Sequence, residues 1–174
     1  MMLRKTVMLA IAGGALLAPL SAVGATPKAA MTAQVKPVVQ AQEAAKFGAL
    51  AVLPSCLSFA VERGNPFTGP SILLIKMQAG CVVPWHWHSV REELMLVSGR
   101  GKIEIAGFPT HTVRPGGYVL LPARHHHQFG CETDCAFFDV ISGKFDIHYI
   151  DKSGKEIPVK QALKAVSEKP GASK

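Results

Sequence analysis

From residue 56 to residue 150 the chain is dominated by short runs with strand character, separated by glycine, proline and asparagine. Runs of this length between turn-forming residues predict β-strands. In several of them apolar side chains alternate with polar or small ones, which is typical of a strand with one buried face. The predicted strands are 56–62, 71–77, 94–98, 102–106, 118–121, 126–130, 136–141 and 145–150. Strands this dense, with no internal repeat, predict a single all-β barrel or sandwich.

A histidine pair lies near the middle of this region. His86 and His88 are two residues apart on an extended segment, so their side chains point to the same face and can share one metal ion. Glu92 and a third histidine from a later strand, His127, would complete a set of three imidazoles and one carboxylate. This mixture of nitrogen and oxygen donors suits a divalent transition metal.

The spacing of these residues resembles the two signatures of the cupin superfamily. The first signature, G(x)5HxH(x)3-4E(x)6G, is matched by Gly80, His86, His88, Glu92 and Gly99. The second, G(x)5PxG(x)2H, is matched by Gly116, Pro122 and His127, with Arg124 in place of the middle glycine. The resemblance implies an antiparallel β-barrel of the double-stranded β-helix or jelly-roll type, over residues 49–157, with one metal ion inside.

Two of the four ligands have close competitors. Periodicity does not separate Glu92 from Glu93, because the strand that follows is apolar on both faces. In a regular strand His125 would share the face of His127. Only the family spacing favours Glu92, by its six-residue step to Gly99, and His127, by its five-residue step from Pro122.

The resemblance does not identify a reaction, since cupins include dioxygenases, isomerases, lyases, storage proteins and simple ligand binders. One hypothesis is a metal-dependent, dioxygenase-like enzyme that acts on a small organic substrate. The other is a non-catalytic cupin in which the metal holds a small ligand or stabilises the barrel. The sequence does not distinguish among iron, manganese, nickel, copper and zinc as the metal. Cupins often form homodimers, so the resemblance also implies a possible homodimer.

Arg124 is a candidate substrate-binding residue, and its positive charge is the reason to expect an anionic substrate. A glycine is usual at its position for backbone reasons, and the arginine places a permanent cation near the expected site. A guanidinium suits a carboxylate or phosphate ligand. The alternative is a turn residue that faces solvent.

The ends of the chain predict export. Residues 1–25 begin with Arg4 and Lys5, continue through an apolar stretch and close on small residues, the pattern of a signal peptide. The apolar run is too short and too broken for a stable membrane anchor, so the expected location is periplasmic or secreted. Residues 26–48 predict a flexible segment with one short helix near 39–46, and residues 158–174 predict a short helix followed by a polar tail.

The net charge of +7 comes without a basic run interleaved with aromatic residues, so no nucleic-acid partner is expected.

Four cysteines in an exported chain predict two disulfides, of three possible pairings. Cys131 and Cys135 flank three residues, a length suited to a hairpin turn, and Cys56 would then pair with Cys81. Ligation of a metal by these thiolates is the weaker alternative, because the chain contains no Cys-x-x-Cys.

Overall fold

Ten strands and one α-helix form within residues 36–167, the part of the chain that this computed structural model describes. The strands are β1 (Leu57–Gly64), β2 (Ser71–Met77), β3 (Val82–Trp87), β4 (Glu92–Ser98), β5 (Gly101–Ile105), β6 (His111–Val113), β7 (Tyr118–Leu121), β8 (His127–Cys131), β9 (Cys135–Ile141) and β10 (His148–Tyr149). Helix α1 (Val159–Ser167) follows. The predicted signal peptide and polar tail lie outside the described residues.

The strands form two five-stranded antiparallel sheets. One sheet has the order β1-β2-β9-β4-β7 and the other has the order β10-β3-β8-β5-β6. Strands that follow each other in the chain can lie in different sheets: β8 belongs to the second sheet and β9 to the first. This architecture confirms the predicted all-β, jelly-roll-like barrel.

The hydrophobic core lies between the inner faces of the two sheets. Leu73, Ile75 and Met77 project inward from β2, and all three are buried. Phe129 of β8 and Phe137 of β9 meet edge to face, with ring centroids 5.0 Å apart, although the two strands belong to different sheets. Aromatic pairs of this geometry contribute about 0.5–1.5 kcal/mol beyond the area they bury.

Two disulfides join the sheets. Cys131 and Cys135 link the end of β8 to the start of β9. Cys56 lies just before β1 and pairs with Cys81, just before β3. These are the two pairings that the cysteine spacing predicts, and none of the cysteines is free.

Four elements differ from the prediction, and one of them is β6, for which no strand was predicted. In the sequence, His86 and His88 are placed on an extended segment for which no strand bounds are predicted. Strand β3 forms over this segment, and Pro84 is accommodated at an irregularity in the ladder. The predicted strand 145–150 is reduced to β10, since residues before it make other contacts: the Phe145 amide donates to the carbonyl of Pro66 over 2.8 Å. Of the predicted helix near residues 39–46, one 3-10 turn forms, at Gln42–Ala44.

Helix α1 begins just after Pro158 and runs close to β3 and β10. Ala162 is its buried residue, and Leu163 packs against the core. Among residues 36–167, no helix has the length and apolar character needed to cross a membrane.

Candidate metal centre

A β-bulge in β3 aims the histidine pair into the barrel. Val83 pairs with Phe129 of β8 and His86 pairs with His127, so three steps along β3 match two along β8. The extra residue lies at Pro84–Trp85, and it puts Val83 and His86 on the same inner face despite their odd spacing. Bulges commonly re-aim side chains beside functional sites. Without this one, the face of Val83 would carry tryptophans instead of histidines.

The third histidine faces the pair across the ladder. His127 is the first residue of β8, and its ring centroid lies 4.1 Å from that of His86. His125 belongs to the turn before the strand, so strand alternation does not apply to it. The Nε2 of His125 lies 3.2 Å from the carbonyl of Ala106, away from the cluster.

The carboxylate comes from the other sheet. Glu92 opens β4 and is buried with Leu94 and Leu96 on the inner face. The neighbouring Glu93 points outward, where it forms an ion pair with Arg91 at 2.9 Å and accepts a hydrogen bond from the Tyr118 hydroxyl at 2.8 Å. The structure therefore brings Glu92, and not Glu93, to the three histidines.

Each of the three imidazoles is held by a main-chain carbonyl. The Nδ1 of His86 donates to Pro84 over 2.6 Å, and that of His127 donates to His125 over 2.9 Å. The Nδ1 of His88 donates to the carbonyl of Asp146. A carbonyl oxygen only accepts, so the ring hydrogen lies on Nδ1 and leaves the lone pair of Nε2 free. This arrangement orients imidazole ligands around metals.

The free donor atoms converge. One ligand atom from each of His86, His88, Glu92 and His127 lies within 4.8 Å of the others. The Oε2 of Glu92 is 3.2 Å from Nε2 of His127 and 3.5 Å from Nε2 of His88. Both Glu92 Oε2 and His88 Nε2 are buried without a hydrogen-bond partner. Leaving buried polar atoms without a partner is energetically costly. One divalent cation would accept a lone pair from each of these atoms, so the residues fit a metal ion.

The electrostatics favour the ligand protonation states. Burial, together with His127 and His88, lowers the pKa of His86 well below its ordinary value, so this imidazole is neutral near pH 7. Burial opposes ionisation of Glu92, but its interactions with the imidazoles of His88 and His127 outweigh burial and lower the pKa of Glu92 to about 2. Neutral imidazole and ionised carboxylate are the forms that bind metals.

Asp139 is a buried acid that the sequence analysis did not single out. It lies on β9 and its carboxyl group is in hydrogen-bond contact with that of Glu92. Burial, and then the negative charge of Glu92, raise the pKa of Asp139 well above its ordinary value. Asp139 can therefore donate its proton to Glu92 and orient that carboxylate. A lone acid in the apolar run 136–141 was the available signal.

Arg124 lies outside this cluster. It adopts a positive φ of 62°, which explains why a glycine is usual at this position. Its amide donates to the carbonyl of His88 over 2.7 Å, so the turn is tied to the ligand strand. Its guanidinium is exposed and lies 5.1 Å from the ring centroid of Trp87, which in turn stacks on His148. Substrate binding by Arg124 stays a prediction.

A cavity of about 50 Å³ adjoins the four candidate ligands. Apart from those ligands and Asp139, every residue of the described chain that lines it is apolar. Phe137, Phe129 and Leu94 form part of its buried wall, and the partly buried Leu53 and Phe145 lie at its rim. The site therefore has one polar end and an apolar remainder.

Comparisons with known proteins agree with this architecture. The family model for the cupin domain matches residues 73–141, which contain all four candidate ligands. No curated protein matches the sequence.

Several solved structures share the fold at low identity. An RmlC-like cupin from Ralstonia eutropha JMP134 is 17% identical, with 76% of this chain and 86% of that chain covered and a TM-score of 0.57. A candidate acetylacetone dioxygenase from Methylibium petroleiphilum PM1 is 16% identical, with 79% and 99% covered and a TM-score of 0.55. The DMSP lyase DddQ from Ruegeria pomeroyi DSS-3 is 16% identical, with 65% and 64% covered and a TM-score of 0.54. Residues 73–141 are thus similar to a cupin domain, and the fold is the one found in cupin structures.

Proposed function

We propose that this protein is a metal-dependent cupin enzyme that acts on a small organic substrate with dioxygenase-like chemistry. The observation that carries the proposal is the convergence of three imidazoles and one carboxylate, with Nε2 of His88 and Oε2 of Glu92 buried and unpaired. His86, His88, Glu92 and His127 would hold the ion. When bound, a redox-active divalent metal would supply Lewis-acid and one-electron chemistry.

The chain's own residues would prepare this chemistry. The carbonyls of Pro84, Asp146 and His125 fix the three rings, so the nitrogen lone pairs need no reorganisation. Asp139 would orient Glu92. The apolar wall would exclude water from the substrate, which strengthens electrostatic interactions near the ion.

Metal analysis and oxygen uptake test the proposal together. Protein purified from its own compartment is expected to carry about one divalent metal per chain, and His88→Ala is expected to lose it. The metal-loaded protein is then expected to consume oxygen with a small organic substrate that fits the cavity. A parent protein without bound metal would contradict the metal centre. Bound metal without turnover on any fitting compound would contradict the enzyme.

A non-catalytic, metal-dependent ligand binder is the second candidate. The small cavity, about 50 Å³, favours it, because there is room for only on the order of three to five water-sized groups beside the ligands. Solved cupins with this fold include a lyase and a candidate dioxygenase, so the fold alone does not choose between the hypotheses. The oxygen-uptake experiment separates them.

Export is part of the same proposal. The two disulfides agree with an oxidising compartment. Intact-mass measurement of the exported protein is expected to show a chain that begins at Thr26. A membrane fraction that retains residues 1–25 would contradict it.

A further inference from the structure

The cavity beside the four candidate ligands limits the charge of a substrate. Among the described residues that line it there is no lysine or arginine. The ion would be the one positive group able to face a ligand there, and Glu92 already offsets part of its charge. A second negative charge on a ligand would be buried against leucine and phenylalanine side chains without a partner, which is strongly unfavourable. A multiply charged anion therefore does not fit.

The cavity also limits the shape of a substrate. Its polar groups are gathered at the end where β3, β4 and β8 meet, while Leu73, Ile75 and Phe137 continue it as an apolar wall. A ligand that matches this surface has one polar head at the ion and an apolar body along the wall. With about 50 Å³ to fill, the body is only a few carbons long.

Phe145 is a partly buried aromatic residue that lines the cavity. Its ring centroid lies 5.5 Å from that of His88. The main chain is held on both sides of this ring, because the Phe145 amide donates to Pro66 and the next carbonyl, that of Asp146, accepts from His88. The side chain of Asp146 also accepts from the Ser89 amide over 2.8 Å. The backbone that carries Phe145 is thus anchored to the ligand segment, and its ring contributes to the wall of the cavity.

We infer that the substrate class is a small molecule with one metal-binding oxygen head, neutral or singly negative, on a short apolar body, and that Phe145 determines the longest body accepted. This inference rests on the proposed metal centre. Phe145 then has a role in specificity. The metal ion, and not a cationic side chain such as that of Arg124, then recognises the polar head of the substrate.

The experiment uses the cobalt(II)-loaded protein and straight-chain monocarboxylates from acetate to octanoate. Binding is measured by the change in the visible cobalt spectrum and, independently, by the rise in Tm. Affinity is expected to increase about fourfold for each methylene buried, to reach a maximum, and to fall once the chain meets Phe145. Phosphate and malonate are expected to bind at least tenfold more weakly than the best monocarboxylate.

Two variants test the rim. Phe145→Ala is expected to move the maximum to longer chains by at least one methylene, and Phe145→Leu, which retains an apolar side chain, should move it in the same direction. Phe108→Ala is the matched control, since Phe108 is 63% exposed in the turn after β5 and does not line the cavity. It should leave the maximum unchanged.

The outcomes separate this inference from the proposed function. Cobalt binding with no dependence on chain length, tighter binding of phosphate or malonate, or an unchanged maximum in both Phe145 variants would overturn the inference alone. Failure to bind cobalt would overturn the metal centre and the inference with it. The expected chain-length profile in a protein without oxygen uptake would support the inference and leave the binder as the function.

Discussion

The Nδ1 atom of His127 lies 2.9 Å from the main-chain carbonyl oxygen of His125. Two neighbouring histidines therefore have different roles: His125 contributes its backbone, and His127 contributes its ring. The turn that contains His125 fixes the tautomer of His127 and aims Nε2 at Glu92.

His127→Ala is expected to lower metal affinity by at least tenfold, because it removes an imidazole donor from the cluster. His125→Ala should retain the metal, since the carbonyl that holds His127 remains. Metal content after dialysis against a weak chelator measures the difference, with circular dichroism as a check on folding. The reverse ranking would show that the other histidine is the ligand.

Glu92→Gln is expected to empty the site under the same dialysis, because it removes the negative charge and leaves a poorer donor. Glu93→Gln is the matched control, since Glu93 faces outward toward Arg91 and Tyr118. Its metal content should equal that of the parent. If only the Glu93→Gln variant lost its metal, the assignment of Glu92 as the carboxylate ligand would be wrong.

Asp139→Leu is expected to weaken metal binding by about 10- to 100-fold, the range typical for a lost partner of a ligand. The reason is that Glu92 loses the hydrogen bond that orients it. Asp139→Asn, which keeps a donor, should stay close to the parent. Competition with a metal-sensitive dye gives both affinities. Equal losses in the two variants would contradict a positioning role.

The stability of the metal-free protein is expected to depend on His86. In an unfolded chain this histidine takes up a proton near pH 6.5, whereas burial lowers its pKa well below that value in the folded state. Below pH 6.5 the unfolded state therefore binds more protons at this histidine than the folded state does. As the pH is lowered, this group reduces the free energy of unfolding by up to about 1.4 kcal/mol per pH unit.

Urea unfolding between pH 7 and pH 5 measures this slope in the parent and in His86→Asn. The comparison is needed because Asp139 acts in the opposite direction: its raised pKa makes the folded state lose stability as the pH rises above the ordinary value of an aspartate. The variant should lose less stability than the parent on acidification. Parallel curves would show that His86 titrates alike in both states.

The two disulfides are expected to contribute unequally to stability. Cys56 and Cys81 are 25 residues apart, whereas Cys131 and Cys135 are 4 apart. Loop-closure entropy predicts a loss of about 3.5 kcal/mol for Cys56→Ala with Cys81→Ala, and about 2 kcal/mol for Cys131→Ala with Cys135→Ala. The urea dependence of unfolding measures both double variants. A larger loss for the short bridge would contradict the entropy model here.

The sequence by itself determined the fold class, both disulfide pairings and the composition of the candidate site, which is three histidines and one carboxylate. Strand character and turn residues are local properties, so the runs at residues 71–77 and 118–121 correspond to β2 and β7 at both ends. The spacing of the first signature is local as well, because its residues lie on β3, on β4 and in the turns beside them.

Only the tertiary structure decided the matters that depend on partners distant in the chain. The choice of Glu92 over Glu93 depends on which face of β4 meets the other sheet, and both faces are apolar in sequence. The bulge at Pro84 depends on the register with β8. The contact of Asp139 with Glu92, and that of His88 with Asp146, join residues 47 and 58 positions apart. Long-range pairing creates these relationships, and no local pattern encodes them.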